Sequence, residues 1–122
     1  MKLDRLTITL PWPDMSLMPN RKNGRSWKST TKARDQARAA GYLAAHAVCL
    51  GFTAEGNVPL TITFAAPDRR HRDLDNLLSC VKNSLDGVAD ALGVNDRQFR
   101  PIKIDAAVDT KKQGFVIVEI GI

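Results

Sequence analysis

Four segments of the chain alternate between apolar and polar residues with a period of two. Because successive side chains of a strand point to opposite faces, this alternation predicts half-buried strands. The first segment ends at the stretch Pro11-Trp12-Pro13, and a turn around residues 111–114 separates the last two. The four segments are 6–10, 60–64, 102–108 and 115–120.

Two other segments repeat their apolar positions every three to four residues, which is typical of helices with one buried face. The first is expected to begin at a capping residue within 29–31. It should run through an alanine-rich stretch to Leu50, with Gly51 as its left-handed stop. The second is expected to begin near Asp75 and to end at Gly93.

The elements therefore follow the order βαβαββ. This order predicts one α/β (α+β) domain over residues 1–122, in which two main helices pack against a mixed four-stranded sheet. The length of 122 residues, with 43% hydrophobic and 25% charged residues, suits a globular protein with one core. No apolar run reaches the length of a membrane span, and Cys49 and Cys80 both fall in helical patterns as small apolar residues. These features predict a cytoplasmic protein.

Positive charge is concentrated in one part of the chain. The formal net charge is +5, and between residues 15 and 50 the basic residues are accompanied by a single acid, Asp35. Residues 14–28 show no apolar period and are predicted to form a long loop, a kind of segment that is usually functional or disordered. A localised basic excess favours a nucleic-acid partner. The loop residues expected to contact DNA are Arg21, Lys22, Arg25 and Lys28.

Two aspartates follow a run of cations in the middle of the chain. Asp73 and Asp75 lie two residues apart, directly after the run Arg69-Arg70-His71-Arg72. Neighbouring carboxylates repel unless a cation lies between them, and Mg²⁺ is often held by one or two carboxylates beside substrate phosphates. Arginines bind phosphates through their planar guanidinium groups. The sequence therefore predicts metal-assisted chemistry on a phosphodiester, with Arg69, Arg70 and Arg72 as phosphate contacts.

The spacing of the acidic pair constrains where the second helix begins. Side chains two residues apart converge on an extended segment but diverge on a helix, so Asp73 and Asp75 can share a metal only if the chain is extended around Leu74. A helix that starts at or just after Asp75 would add backbone N–H donors for an anion. Its polar stripe carries Asp75, Ser79, Lys82 and Asp86, and a further carboxylate, Asp96, follows the helix stop.

These residues resemble a known family. The segment 67–77 (PDRRHRDLDNL), the pair Asn95-Asp96 and the stretch Leu10-Pro11-Trp12-Pro13 are similar to the RusA family of Holliday-junction resolvases. The resemblance extends over nearly the whole chain. It implies a homodimeric, Mg²⁺-dependent endonuclease of bacteria or their prophages that makes paired nicks across four-way DNA junctions.

The resemblance also implies roles for individual residues. The family's metal-binding aspartates fall on Asp73, Asp75 and Asp96, which would hold two Mg²⁺ ions per active site, with Mn²⁺ as a substitute. The catalytic lysine of the family lies one turn beyond the second aspartate, where this chain has Ser79. The nearest candidate for that lysine is Lys82, about one turn further along the same polar stripe.

Other interpretations of the same residues stay open. Asp73 and Asp75 also suit the first turn of a helix, where acids interact favourably with the helix dipole, and Lys82 also suits an ion pair with Asp86. The chain could be a module that binds branched DNA without cutting it. It could also be a metal-dependent phosphohydrolase for a small phosphate ester, although such an enzyme has little need for the basic region 15–50.

Overall fold

The computed structural model describes residues 4–18 and 27–121, with side chains in the second range from residue 30 onwards. The strands are β1 (Leu6–Pro11), β2 (Val58–Ala66), β3 (Phe99–Val108) and β4 (Phe115–Ile120). The helices are α1 (Trp27–His46), α2 (Leu74–Cys80) and α3 (Lys82–Leu92). Short 3-10 turns occur at Met15–Leu17 and Asp96–Gln98.

The strands form one mixed sheet in the order β1-β4-β2-β3. β4 is antiparallel to both of its neighbours, β1 and β2, whereas β2 and β3 run parallel. A parallel pair needs a long crossover, and the crossover here is made by α2 and α3. The predicted mixed four-stranded sheet and α+β class are confirmed.

The core lies between one face of the sheet and the helices. Alternation along the strands brings Leu60, Ile62 and Phe64 to this face, where all three are fully buried. The intervening residues Thr61 and Thr63 point to the opposite face and are only partly buried. Within the described ranges the molecule therefore has two layers, with the helices packed on one face of the sheet.

Two glycines allow the backbones of α1 and α3 to touch. A Cβ atom on Gly41 would overlap the carbonyl oxygen of Ser84, and one on Gly87 would overlap the carbonyl oxygen of Arg38. The guanidinium of Arg38 also crosses to α3, donating from Nη2 to Asp90 Oδ2 at 2.7 Å and from Nε to the same oxygen at 3.0 Å. The two helices are thus held at a separation that larger residues would not permit.

The first helix has different ends from those expected. It is helical from Trp27, before the capping residues proposed at 29–31, and it ends at His46 instead of Leu50. Ala45 is the last residue of α1 to be fully buried, whereas Leu50 is 95% exposed. Leu50 therefore gains no burial that would stabilise another turn of helix. Gly51 has the expected positive φ of 82°, but it lies in the turn that follows the helix.

The second predicted helix is divided into two. Leu74 is already helical, one residue earlier than expected, and the helix breaks at Val81 before resuming as α3. Val81 has φ −96° and ψ 3°, and its N–H is shared between the carbonyls of Leu78 and Ser79. Cys80 and Val81 are both buried at this point, and the buried positions continue at three-to-four spacing on either side of the break. The predicted stop at Gly93 is confirmed, with a left-handed φ of 70°.

Candidate functional site

A groove runs between the crossover helices and the start of β3. Both apolar and charged side chains line it, and its volume is about 280 Å³. The lining residues are Leu78, Ser79, Lys82, Leu85, Asp86, Asp96, Phe99 and Ile102. The groove therefore contains two of the proposed catalytic residues, Lys82 and Asp96, together with Ser79.

The return of the chain after α3 brings Asp96 to this groove. Gly93 ends the helix, and Asn95 then begins a 3-10 turn in which its Oδ1 accepts from the N–H of Arg97 at 2.9 Å. Gln98 completes the turn, because its Oε1 accepts from the N–H of Asn95 and its Nε2 donates to the carbonyl of Gly56, both at 2.8 Å. The position of Asp96 is thus fixed by hydrogen bonds on both sides.

Asp86 is a carboxylate of this groove that the sequence interpretation considered only as a partner for Lys82. Burial raises the pKa of Asp86, and the nearby charge of Asp96 raises it further. Arg38 and Lys82 act in the opposite direction on the same pKa. The spacing of Lys82 and Asp86 on one polar stripe was the available signal, but only the path of the chain after α3 reveals that Asp86 lies near Asp96.

Lys82 is exposed and lines the groove. It forms no ion pair with any residue in the described ranges, including Asp86. Its ammonium group is therefore available to an anion that enters the groove.

The acidic pair lies at the start of α2. Asp73 is the extended N-cap, with φ −74° and ψ 130°, and its Oδ1 is 3.2 Å from Nε2 of His71. Asp75 is exposed in the first turn, and its backbone carbonyl accepts from the hydroxyl of Ser79 at 3.2 Å. Because Leu74 is already helical, the extended geometry that would make the two carboxylates converge is absent.

Asp73, Asp75 and Asp96 do not form a ready-made metal centre. Within residues 4–18 and 27–121, no three His, Cys, Asp or Glu side chains lie close enough to hold one metal ion. The donors have the chemistry that Mg²⁺ prefers, since this ion takes oxygen ligands and usually keeps several waters beside one or two carboxylates. Coordination by all three aspartates stays a prediction.

Arg72 is engaged within the protein. Its side chain is only 13% exposed, and its Nη2 donates to Oδ1 of Asp68 at 2.9 Å. The guanidinium carbon lies 5.4 Å from the ring centroid of Trp12, which itself packs edge-on against Phe64. The N–H of Arg70, followed by Arg72, holds the pKa of Asp68 below its usual value. Arg72 therefore stabilises the loop before α2. Because its guanidinium group is engaged by Asp68 and Trp12, it is less available to bind phosphate than Arg69 or Arg70.

Arg69 and Arg70 differ from Arg72 because they point into solvent. The Arg70 side chain is 84% exposed and makes only a distant contact of 3.9 Å with Asp68. Both arginines line a second cleft, which lies between the loop and the far end of β3 and includes Ala106 and Val108. The other predicted DNA contacts cannot be placed, since Arg21, Lys22, Arg25 and the side chain of Lys28 lie outside the described residues.

Comparison with known proteins finds a relative by sequence. No family model matches the chain. The chain is 41% identical over 98 residues to an uncharacterized protein of Xylella fastidiosa. The match covers 76% of this chain and 61% of the relative, so the chain spans less than two thirds of that protein's length.

Among solved structures, the chain is similar to IspF of Plasmodium falciparum in a CDP complex, at 14% identity and a TM-score of 0.30. The similarity covers 75% of this chain and 53% of IspF, and a score this low does not indicate a shared fold. None of the helices within the described ranges is both long and apolar enough to cross a bilayer.

Proposed function

We propose that the chain is a RusA-like, Mg²⁺-dependent endonuclease that cuts four-way DNA junctions. The observation that supports this proposal best is the groove that contains Lys82, Ser79 and Asp96. An acid from the turn after α3 and an unpaired cation from the first residue of α3 line the same surface there. The arginine-rich loop before α2 would supply the phosphate contacts that a phosphodiester substrate needs beside a cation site.

Each group has a distinct task in this proposal. Asp96, with Asp73 and Asp75 at the start of α2, would hold Mg²⁺, which when bound supplies a water of lowered pKa. Lys82 places its ammonium group where negative charge develops on the scissile phosphate and the leaving oxygen. Arg69 and Arg70 contact phosphates beside the cut, and the basic segment 15–50 adds affinity that does not depend on sequence. A homodimer in the cytoplasm of a bacterium would offer two such sites to the two-fold junction.

The experiment uses a synthetic four-way junction, labelled on one strand at a time and resolved on a denaturing gel. The wild type should produce symmetric nicks with Mg²⁺ or Mn²⁺ and none with a chelator. Asp73→Asn, Asp75→Asn and Asp96→Asn should each reduce cleavage at least a hundredfold while binding stays equal or becomes tighter, because a metal ligand and a source of phosphate repulsion are both removed. A variant that cuts at the wild-type rate would show that its aspartate is not a ligand.

A second function has an observation in its favour. The position of the family lysine is Ser79, and no metal trio is assembled within the described residues. These two features favour a module that binds branched DNA without cutting it. Tight binding to the junction with no nicks under any metal condition would select this alternative. Failure to bind DNA at low salt would instead favour a small phosphate ester as substrate.

A further inference from the structure

β3 is an edge strand with a free side. It pairs with β2 on one side, and within residues 4–18 and 27–121 no strand pairs with the other. Most of its residues are exposed, and these include the large apolar residues Ile102, at 40%, and Val108, at 47%. A long edge strand with exposed apolar residues is a template for another strand, which proteins usually block with charges, bulges or a covering element.

The register with β2 assigns the side chains of β3 to the two faces of the sheet. Ile102, Ile104 and Ala106 pair with the buried residues Leu60, Ile62 and Phe64, so they point to the helix side. Lys103 and Asp105 pair with Thr61 and Thr63 and point to the opposite side. The edge therefore carries an apolar row on one face and a cation and an anion on the other.

A hydrogen bond shows which backbone groups point outwards. The N–H of Ala106 donates to Oδ1 of Asp105 at 2.8 Å, so it is capped by a side chain and not by β2. Because N–H groups alternate in direction along a strand, those of Ile102 and Ile104 also face the free side. An incoming strand must bond to these even-numbered residues.

We propose that β3 pairs with β3 of a second copy of this chain about a two-fold axis at Ile104. Antiparallel pairing about this residue sets Ile104 against its own equivalent and Ile102 against Ala106, so all the outward N–H groups find carbonyls. It also sets Lys103 of each copy directly opposite Asp105 of the other. The carboxylate of Asp105 then leaves the N–H of Ala106, which bonds across the interface, and takes the facing ammonium group as its partner.

Charge selects this register over its neighbours. The outward N–H groups find carbonyls only when the two-fold axis passes through a residue of β3. The alternative registers therefore differ in which residue lies on the axis. An axis at Lys103 would place two lysines opposite each other, and an axis at Asp105 would place two aspartates opposite each other. Like charges directly opposite are destabilising, whereas opposite charges stabilise a strand pair. Of these three registers, the one centred on Ile104 is the one in which Lys103 and Asp105 each face an opposite charge, and the two copies meet there through the same surface, as a two-fold contact requires.

The pairing also joins the two clefts described above. Ile102 forms part of the groove with Lys82 and Asp96, and Ala106 forms part of the cleft with Arg69 and Arg70. When Ile102 lies opposite the partner's Ala106, the acidic groove of one copy continues into the arginine cleft of the other. This step deepens the proposed function and rests on it, because a composite trough matters only if the ligand is a long polyanion. The strand pairing itself does not depend on the ligand.

The test compares charge variants by analytical ultracentrifugation without DNA. Lys103→Asp places aspartates opposite aspartates, and Asp105→Lys places lysines opposite lysines. Each single variant should raise the dimer dissociation constant at least tenfold, since two attractive pairs become two repulsive ones. An equimolar mixture of the two variants should form a heterodimer of near wild-type affinity. The double variant, with both charges exchanged, should also recover dimerisation, and Lys111→Asp in the exposed β3–β4 turn serves as the control.

Three outcomes would overturn the proposal: a monomeric wild type at 100 µM (roughly the range of a weak dimer), single variants that dimerise as well as the wild type, or a mixture that fails to associate. Circular dichroism on each variant confirms that the exposed substitutions leave the fold intact. Because the measurement contains no DNA, its failure leaves the nuclease proposal standing, and absence of cleavage by an intact dimer leaves the strand pairing standing.

Discussion

Lys82 is the cation that lines the groove, and cleavage is expected to depend on it. We expect Lys82→Ala to lower the single-turnover cleavage rate about a hundredfold with little change in junction affinity. The reason is that the ammonium group acts on charge that develops in the transition state. The exposed Lys111→Ala should leave both values unchanged. Adding Ser79→Lys to Lys82→Ala should recover part of the rate, whereas normal cutting by Lys82→Ala would exclude Lys82 as the catalytic cation.

Asp109 gives a prediction about pH. Its buried carboxylate accepts from the N–H groups of Lys111, Gln113 and Gly114 at 3.0–3.1 Å, and these bonds hold its pKa below the usual 3.8. A lowered folded pKa adds stability above the unfolded value, and this stability is lost as the pH falls through the folded value. Asp109→Asn should therefore lower Tm at pH 7, and the difference from wild type should shrink steadily below pH 3.8. A difference that stays constant down to pH 2 would contradict this account.

At the scale of elements, the α1–α3 contact depends on the absence of side chains. Gly87→Ala would force a Cβ against the Arg38 carbonyl and should reduce the free energy of unfolding by about 1–3 kcal/mol, despite the better helix propensity of alanine. Asn83→Ala in the same helix is the control and should change the stability by less than about 0.5 kcal/mol. Urea unfolding measures both. Equal stability of Gly87→Ala and wild type would show that the helices can separate without cost.

The sequence predicts those helices and strands that a local pattern determines. It does not predict features, such as the exact ends of a helix, that depend on how the rest of the chain packs against them. Period-two alternation identified all four strands, and a glycine with positive φ marked the end of α3. The predicted C-terminal end of α1 was wrong because Leu50 fits the apolar pattern but is almost fully exposed and packs against nothing. The break at Val81 was missed because the three-to-four apolar spacing continues across it unchanged.

The candidate site was predictable only in its parts. The motif supplied Asp73, Asp75 and Asp96, but spacing alone could not bring Asp96 to the groove of Lys82, since that depends on the turn after α3. The contact of Arg72 with Trp12 could not be predicted from the sequence either, because Trp12 precedes the first helix and is far from the motif along the chain. Residue types are local information, whereas their partners are set by topology.

At the scale of the whole molecule, positive charge should govern affinity for DNA. We expect Arg69→Ala and Arg70→Ala each to flatten the plot of log K against log[salt] by about one unit, because each removes one exposed phosphate contact. Arg72→Ala should behave differently, lowering Tm through loss of its contacts with Asp68 and Trp12. Fluorescence anisotropy between roughly 50 and 200 mM salt distinguishes the two effects. Unchanged slopes for Arg69 and Arg70 would place the DNA elsewhere on the protein.

The position of β4 has a consequence for how the protein is made. β4 follows every other element in the sequence, yet it lies between β1 and β2 in the sheet. While the chain is being synthesised, β1 and β2 therefore have no common neighbour, and the edge of each strand that will face β4 stays unpaired until β4 has been made. The sheet therefore cannot form by adding strands in the order in which they are synthesised, because β1 joins it only through β4. A chain truncated before β4 should therefore be more sensitive to protease than one that includes it, because β1 pairs with β4 and with no other strand of the described sheet.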